Sequence, residues 1–227
     1  MIKINWRTEA VSLLLLLAMF VAAGVVWPSA PDRIPVHWGV SGEPDRYAGK
    51  FEGLLLLSLV ALGLYVLLLV LPRVDPRKEH YARFQGVYTI LRTLIVAIMA
   101  GTFAIVVLWA RGVHVDTFVV VGLMIGLLFM VLGNYMGKLR STWFVGIRTP
   151  WTLSSEEAWN KTHRLGGRLF FVFGLALAIG VPLGKQWAAS YMIPAGVFGL
   201  VLILYVYSYL VWRKDPAANH AKNARQE

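Results

Sequence analysis

Two polar stretches interrupt a chain that otherwise reads as runs of leucine, valine and alanine, and they concentrate side chains able to do chemistry. The first, PDRIPVHWGVSGEPDRYAGK (residues 31–50), carries His37, Glu43, Asp45 and Lys50. Imidazole and carboxylates are metal ligands and proton carriers. The four lack the spacing of a metal motif, however, so no metal is expected, and an isolated histidine in such a loop is usually just hydrogen-bonded. The second, FVGIRTPWTLSSEEAWNKTHRLGGR (residues 144–168), holds Arg148, Lys161, Arg164 and Arg168 with Trp151, Trp159 and His163. Its guanidinium and ammonium groups can grip lipid phosphate or a partner's carboxylates, or serve only as solvated charges that set topology. A lipid-acting enzyme using His37 or His163 as acid/base is the chemical alternative. No catalytic constellation supports it, and neither enzymatic activity nor a cofactor is expected.

The elements that position these stretches follow from composition. Of 227 residues 58% are hydrophobic and 15% charged, against roughly 25% charged in a soluble domain. The main solvent is therefore lipid. The formal charge of +10 would suggest nucleic acid in a soluble protein. Here it reads as topology and contact with lipid headgroups, and direct nucleic-acid binding is not expected. The absence of cysteine excludes disulfides and thiolate sites.

Six apolar runs fall near residues 9–27, 53–71, 87–110, 117–136, 169–184 and 189–212. Each approaches the ~20 residues that cross the hydrocarbon core. The first is read as a span rather than a signal peptide, because its apolar run is long and Pro28-Ser29-Ala30 makes a poor cleavage site. None shows barrel alternation, so the fold class is an all-α integral membrane protein, a six-transmembrane-helix bundle. Three regions follow: 1–71 with the polar loop 28–50, 72–136, and 137–227 with the loop 137–168. Sixteen Lys and Arg lie in the N-terminus, the second and fourth loops and the tail, Lys3, Lys222 and Arg225 among them. The other three loops hold five: Arg33, Arg46, Lys50, Arg111 and Lys185. The positive-inside rule then puts both termini and residues 144–168 in the cytoplasm, with 28–50 outside. Arg92, near the cytoplasmic end of the third run, is expected to snorkel to the headgroups, with a polar site inside the bundle as the alternative. Gly122/Gly126 and Gly180/Gly184 have the spacing of close helix contacts.

Local signals add detail. The prolines and glycines of residues 31–50 read as a series of turns, with Trp38 and Tyr47 suited to the outer interfacial belt. Ser154 to Glu157 has the S-x-x-E spacing of a capping box. It predicts a helix over 155–165, broken by Gly166-Gly167 before the fifth span. On that helix Trp159 and His163 are one turn apart, forming an aromatic face expected to lie along the membrane.

The segment GNYMGKLRSTWFVGIRTPWTLSSEEAWNKTHRLGG resembles the signature of the SdpI-type family of bacterial immunity proteins against a sporulation-delaying toxin. The carriers are GN-Y after a span, the GIRTPWTL core, and an acidic helix with W-x-x-T-H and a glycine pair. IPVHWGVSGEPDRYAGK resembles the short domain of unknown function that often precedes this signature. The resemblance implies a plasma-membrane protein without catalysis, meeting a secreted toxin outside and holding a transcriptional repressor at the membrane inside. Carried onto this chain, the matching positions are Asn134, Arg148, Thr149, Pro150, Trp151, Trp159, Thr162 and His163. A rival reading is a transporter for a small solute or lipid. With three spans per half, the second half would be inverted relative to the first, as in inverted-repeat transporters.

Overall fold

The computed structural model describes residues 5–217; Lys3, Lys222 and Arg225, used above for orientation, lie outside the described residues. Among the described residues six helices are long and apolar enough to cross a membrane. They are α1 (Trp6–Val26), α2 (Leu57–Val74), α3 (Gln85–Ala110), α4 (Thr117–Met136), α6 (Glu156–Leu183) and α8 (Ile193–Lys214). Two short helices, α5 (Pro150–Ser154) and α7 (Lys185–Trp187), lie between them. Starts are set by side chains that satisfy free N–H groups: the Asn5 amide oxygen accepts from Arg7 and the Asp116 carboxylate from Val119. Pro72 sits in the last turn of α2, and the backbone turns extended at Asp75.

The residues at 31–50 form a hairpin rather than turns alone. β1 (Ile34–Trp38) pairs antiparallel with β2 (Pro44–Ala48), with shifted register around His37. A two-stranded ribbon has two free edges, so Pro35 and Pro44 cost no ladder bond that matters. Ile34 is fully buried against the bundle, and a Cβ at Gly53 would meet it at 2.9 Å. Trp38 turns inward onto Trp109, ring centroids 6.1 Å apart, while Tyr47 stays exposed with the Arg33 guanidinium over its ring. Of the two aromatic residues assigned to the interfacial belt, Trp38 is thus a packing residue. Lys185 ties this end together: its ammonium lies 2.7 Å from the Asp116 carboxylate and 3.4 Å from the Ser41 carbonyl. That hydrogen bond holds Asp116 below the usual carboxylate range.

Helices α1, α2 and α3 pack around an apolar core that includes Leu16, Ala61 and Val96 and that encloses one polar cluster. Glu9, Ser12, Leu16, Met19, Ala23 and Val26 form the buried stripe of α1 at three- and four-residue spacing. Arg92 does not snorkel. It is 1% exposed and donates through Nε (3.2 Å) and Nη2 to the Glu9 carboxylate. Tyr65 donates to the same carboxylate at 3.0 Å, and the Tyr65 and Tyr88 rings flank the guanidinium. An acid one turn inside α1 compensates the arginine, so reaching for the headgroups would only break the pair.

Helices α4 and α6 meet through glycine. A Cβ on Gly126 would sit 2.9 Å from the Gly174 carbonyl, and one on Gly174 would sit 2.5 Å from the Gly126 carbonyl. Gly133 and Gly167 show the same reciprocity at 2.6 and 2.7 Å, and Gly122 faces Val181. Such backbone approach is how helices associate without a hydrophobic driving force. The Gly122/Gly126 expectation holds. Gly180 instead faces Met192, and Gly184 caps α6.

Candidate functional site: the plate at the basic end

At the end opposite the hairpin, residues 75–84, 137–155 and Asp215 knit into a plate. Its centre is a stacked pair. Trp159 and His163, one turn apart on α6, lie with ring centroids 4.0 Å apart and planes at 20°. Both are buried, so the aromatic face points inward and not along the membrane. The Trp159 indole donates to the Leu139 carbonyl at 3.0 Å. His163 Nδ1 lies 2.8 Å from the Trp159 carbonyl, which only accepts, and Nε2 receives the Ile147 N–H at 2.9 Å. The ring is therefore the neutral Nδ1–H tautomer with both nitrogens engaged. That leaves none for a metal or a substrate proton. Gly146 presses on this pair at φ +116°, where a Cβ would lie 2.5 Å from His163 Nε2.

The helical start differs from expectation. Thr149 caps α5 in a capping box with Thr152, with Pro150 in the first turn. This short helix runs to Ser154, whose hydroxyl turns back to the Trp151 carbonyl at 3.3 Å. The cap of α6 is consequently Ser155, which accepts from the Ala158 N–H at 2.9 Å and donates to the Asp215 carboxylate at 2.5 Å. Nor do Gly166 and Gly167 break the helix: α6 runs unbroken from Glu156 to Leu183. Intrahelical hydrogen bonding continues through glycine, whose missing side chains admit Ile147, Met136 and Leu204 at Gly166 and the Gly133 carbonyl of α4 at Gly167.

The remaining motif residues divide by role. Thr149 Oγ1 donates to Ser208 at 3.0 Å, and Trp151 packs edge-on against Tyr205 at 4.7 Å and tilted against Tyr209 at 5.1 Å. Together they lock α5 onto α8. Thr162 is fully buried, and its hydroxyl has no hydrogen-bond partner among the described residues. Arg148 is exposed. One guanidinium nitrogen donates to the Trp143 carbonyl at 2.6 Å, and the side chain sits at the rim of an apolar cavity of about 390 Å³. Asn134 stands apart, on an exposed flank of α4 beside Arg164 and Arg168.

The second loop supplies residues that motif reading missed. Asp75 is buried and accepts from Arg77 N–H (2.7 Å), Tyr81 O–H (2.9 Å) and Trp143 N–H (3.0 Å). Arg77 donates to the Leu153 carbonyl at 2.8 Å and to Ser141, and His80 to the Ser141 carbonyl at 2.7 Å. The available signal was an Asp-Pro pair at the end of a span, Asp75-Pro76, in a basic loop that also holds Glu79; Asp215-Pro216 repeats it in the tail. Beside this knot lies a polar cleft of about 310 Å³, lined by Arg83, Arg140, Ser141, Glu156, Trp159 and Asn160.

The hairpin candidates separate into two groups. His37 Nδ1 lies 2.5 Å from the Asp45 carboxylate. Lys50 turns instead to the Trp27 carbonyl (3.4 Å) and Asp32 (3.8 Å), and Glu43 is exposed. Among the described residues no three His, Cys, Asp or Glu converge as metal ligands.

Residues 138–208 match the SdpI/YfhL protein family, and residues 14–62 match the Domain of unknown function (DUF1648). The first match covers most of the plate with α6 and most of α8; the second covers most of α1, the hairpin and the start of α2. Over 208 residues the chain is 23% identical to the Immunity protein SdpI of Bacillus subtilis (strain 168), covering 92% of this chain and 97% of that protein. No solved structure matches. The family resemblance read from the two loops is borne out, and with six spanning helices the chain is a multi-pass bacterial membrane protein.

Proposed function

We propose that this protein is a membrane immunity protein that protects its own cell from a secreted antimicrobial peptide and catalyses no reaction. The observation that carries the reading is the extent of the likeness to the Immunity protein SdpI, which takes in both the hairpin end and the plate. Orientation follows from the basic asymmetry: termini and plate in the cytoplasm, hairpin outside. The toxin is met at the hairpin end. On the plate, the exposed Arg148 and the cleft with Arg83 and Arg140 offer guanidinium groups to the carboxylates of a partner, a transcriptional repressor held at the membrane. His163, Trp159, Thr149 and Thr152 act as the frame that presents Arg148.

Expression in a bacterium sensitive to the sporulation-delaying toxin tests the reading. Raised survival over cells carrying an empty vector is expected; killing at the same dose in both contradicts it.

The transport alternative draws on one observation, the grouping of α1–α3 apart from α4, α6 and α8. The groups are built differently, one around a buried ion pair and the other through glycine contacts. Immunity is therefore the better reading.

A further inference from the structure

Arg164 and Arg168, one turn apart on α6, project along the same flank into a groove of about 500 Å³ shared with Asn134. Its floor is nearly free of side chains: Gly133 and Gly137 from the end of α4, and Gly167 from α6. Neither arginine has an ion-pair partner among the described residues. The nearby Glu157 is engaged by Lys161 at 2.5 Å. The C-terminal carbonyls of α4 carry roughly half a negative charge, so two guanidiniums leave a net excess of about +1.5 facing the groove. Directly beyond it, toward the apolar part of α6, Phe171 and Val172 are 45% and 63% exposed. The groove thus joins a cationic, donor-rich head to an apolar strip at the boundary of a spanning helix.

We propose that this groove binds the phosphate of an anionic phospholipid, with Arg164 and Arg168 gripping the phosphate oxygens, Asn134 donating from α4, and an acyl chain lying on Phe171 and Val172. Planar guanidinium forks match phosphate oxygens in pairs. At Gly137, where a Cβ would lie 3.8 Å from Arg164 Cγ, the absent side chain leaves the headgroup room beside the arginine, while Gly133 and Gly167 face each other's backbone and hold the two helices together at the groove. The strip explains why the source is a lipid rather than free phosphate, which would make no use of it. The site is independent of the plate's contact with a protein and of which leaflet the basic end faces.

The test uses the full chain in detergent, with native mass spectrometry reading retained lipid. Phosphatidylglycerol should be retained at least about tenfold over phosphatidylcholine of the same chains. Arg164→Gln/Arg168→Gln should abolish that selectivity, while Lys138→Gln/Lys161→Gln, with the same loss of charge, should keep it. Inorganic phosphate at millimolar concentration should not displace the lipid. Equal loss in both double variants would reduce the site to general charge and overturn the proposal. So would displacement by phosphate alone, or an Arg164→Gln/Arg168→Gln variant that loses toxin protection while its lipid selectivity is intact, the mark of a protein-docking surface. Should the arginine variant fail to fold, a photoactivatable phosphatidylglycerol on the unmodified protein decides. Crosslinks concentrated at residues 134 and 164–172 support the site, and crosslinks spread evenly over the helices contradict it.

Discussion

Glu9 and Arg92, 83 positions apart, close a two-point ion pair in the interior of the first three helices, with Tyr65 sharing the same carboxylate. The pair joins α1 to α3 where lipid offers no hydrophobic force between helices. Breaking it by Glu9→Gln or Arg92→Met leaves one buried charge unpaired, at a cost of about 3–5 kcal/mol. Replacing both, as Glu9→Leu/Arg92→Met, removes both desolvation costs together. Thermal unfolding in detergent should rank the double variant more stable than either single one. Singles no less stable than the double would mean the pair contributes nothing.

Topology is read most cheaply in a chain without cysteine. Ser154 and Ser41 are both exposed, at opposite ends of the bundle. In intact cells an impermeant thiol reagent should label Ser41→Cys and not Ser154→Cys. The reverse pattern would invert the orientation drawn from the basic residues.

The cap of α6 rests on Ser155, not Ser154. Ser155→Ala loses both the Ala158 bond and the tie to Asp215 and should cost about 1 kcal/mol. Ser154→Ala should be close to neutral. Hydrogen exchange over residues 156–165 should quicken in the first variant only; equal protection in both would place the cap elsewhere.

Spans and family were legible in the sequence because they rest on composition and on a contiguous motif. The fourth run, 117–136, coincides with its helix, since uncharged stretches end where polar residues begin. What escaped reading depended on partners distant in the chain. Arg92 looked like an interfacial charge because Glu9 lies in another helix. Gly166-Gly167 looked like a breaker because the loop and helix it admits come from Ile147 and α4. The S-x-x-E spacing was read one residue early because Pro150 starts a separate turn that consumes Ser154. Among the motif residues, Trp159, Thr149 and His163 carry structural contacts, while Arg148 alone of the GIRTP run presents an exposed charge.

That exposed arginine gives a sharp substitution. Arg148→Lys keeps the positive charge that topology needs but loses the planar fork that can hold the Trp143 carbonyl and a carboxylate together. At equal membrane abundance, toxin protection or repressor capture should fall by roughly tenfold, the worth of one charge-assisted hydrogen bond. Unchanged activity would reduce Arg148 to a topology marker.

The most direct measurement is a toxin dose–survival curve for sensitive cells producing this chain, against cells with an empty vector and cells producing Gly146→Val at matched membrane abundance. A valine at φ +116° collides with the His163–Trp159 pair and should deform the plate without touching the hairpin. The account predicts a curve shifted to higher toxin for the unmodified chain and a smaller or absent shift for Gly146→Val. Coincidence of the unmodified curve with the empty vector would contradict it.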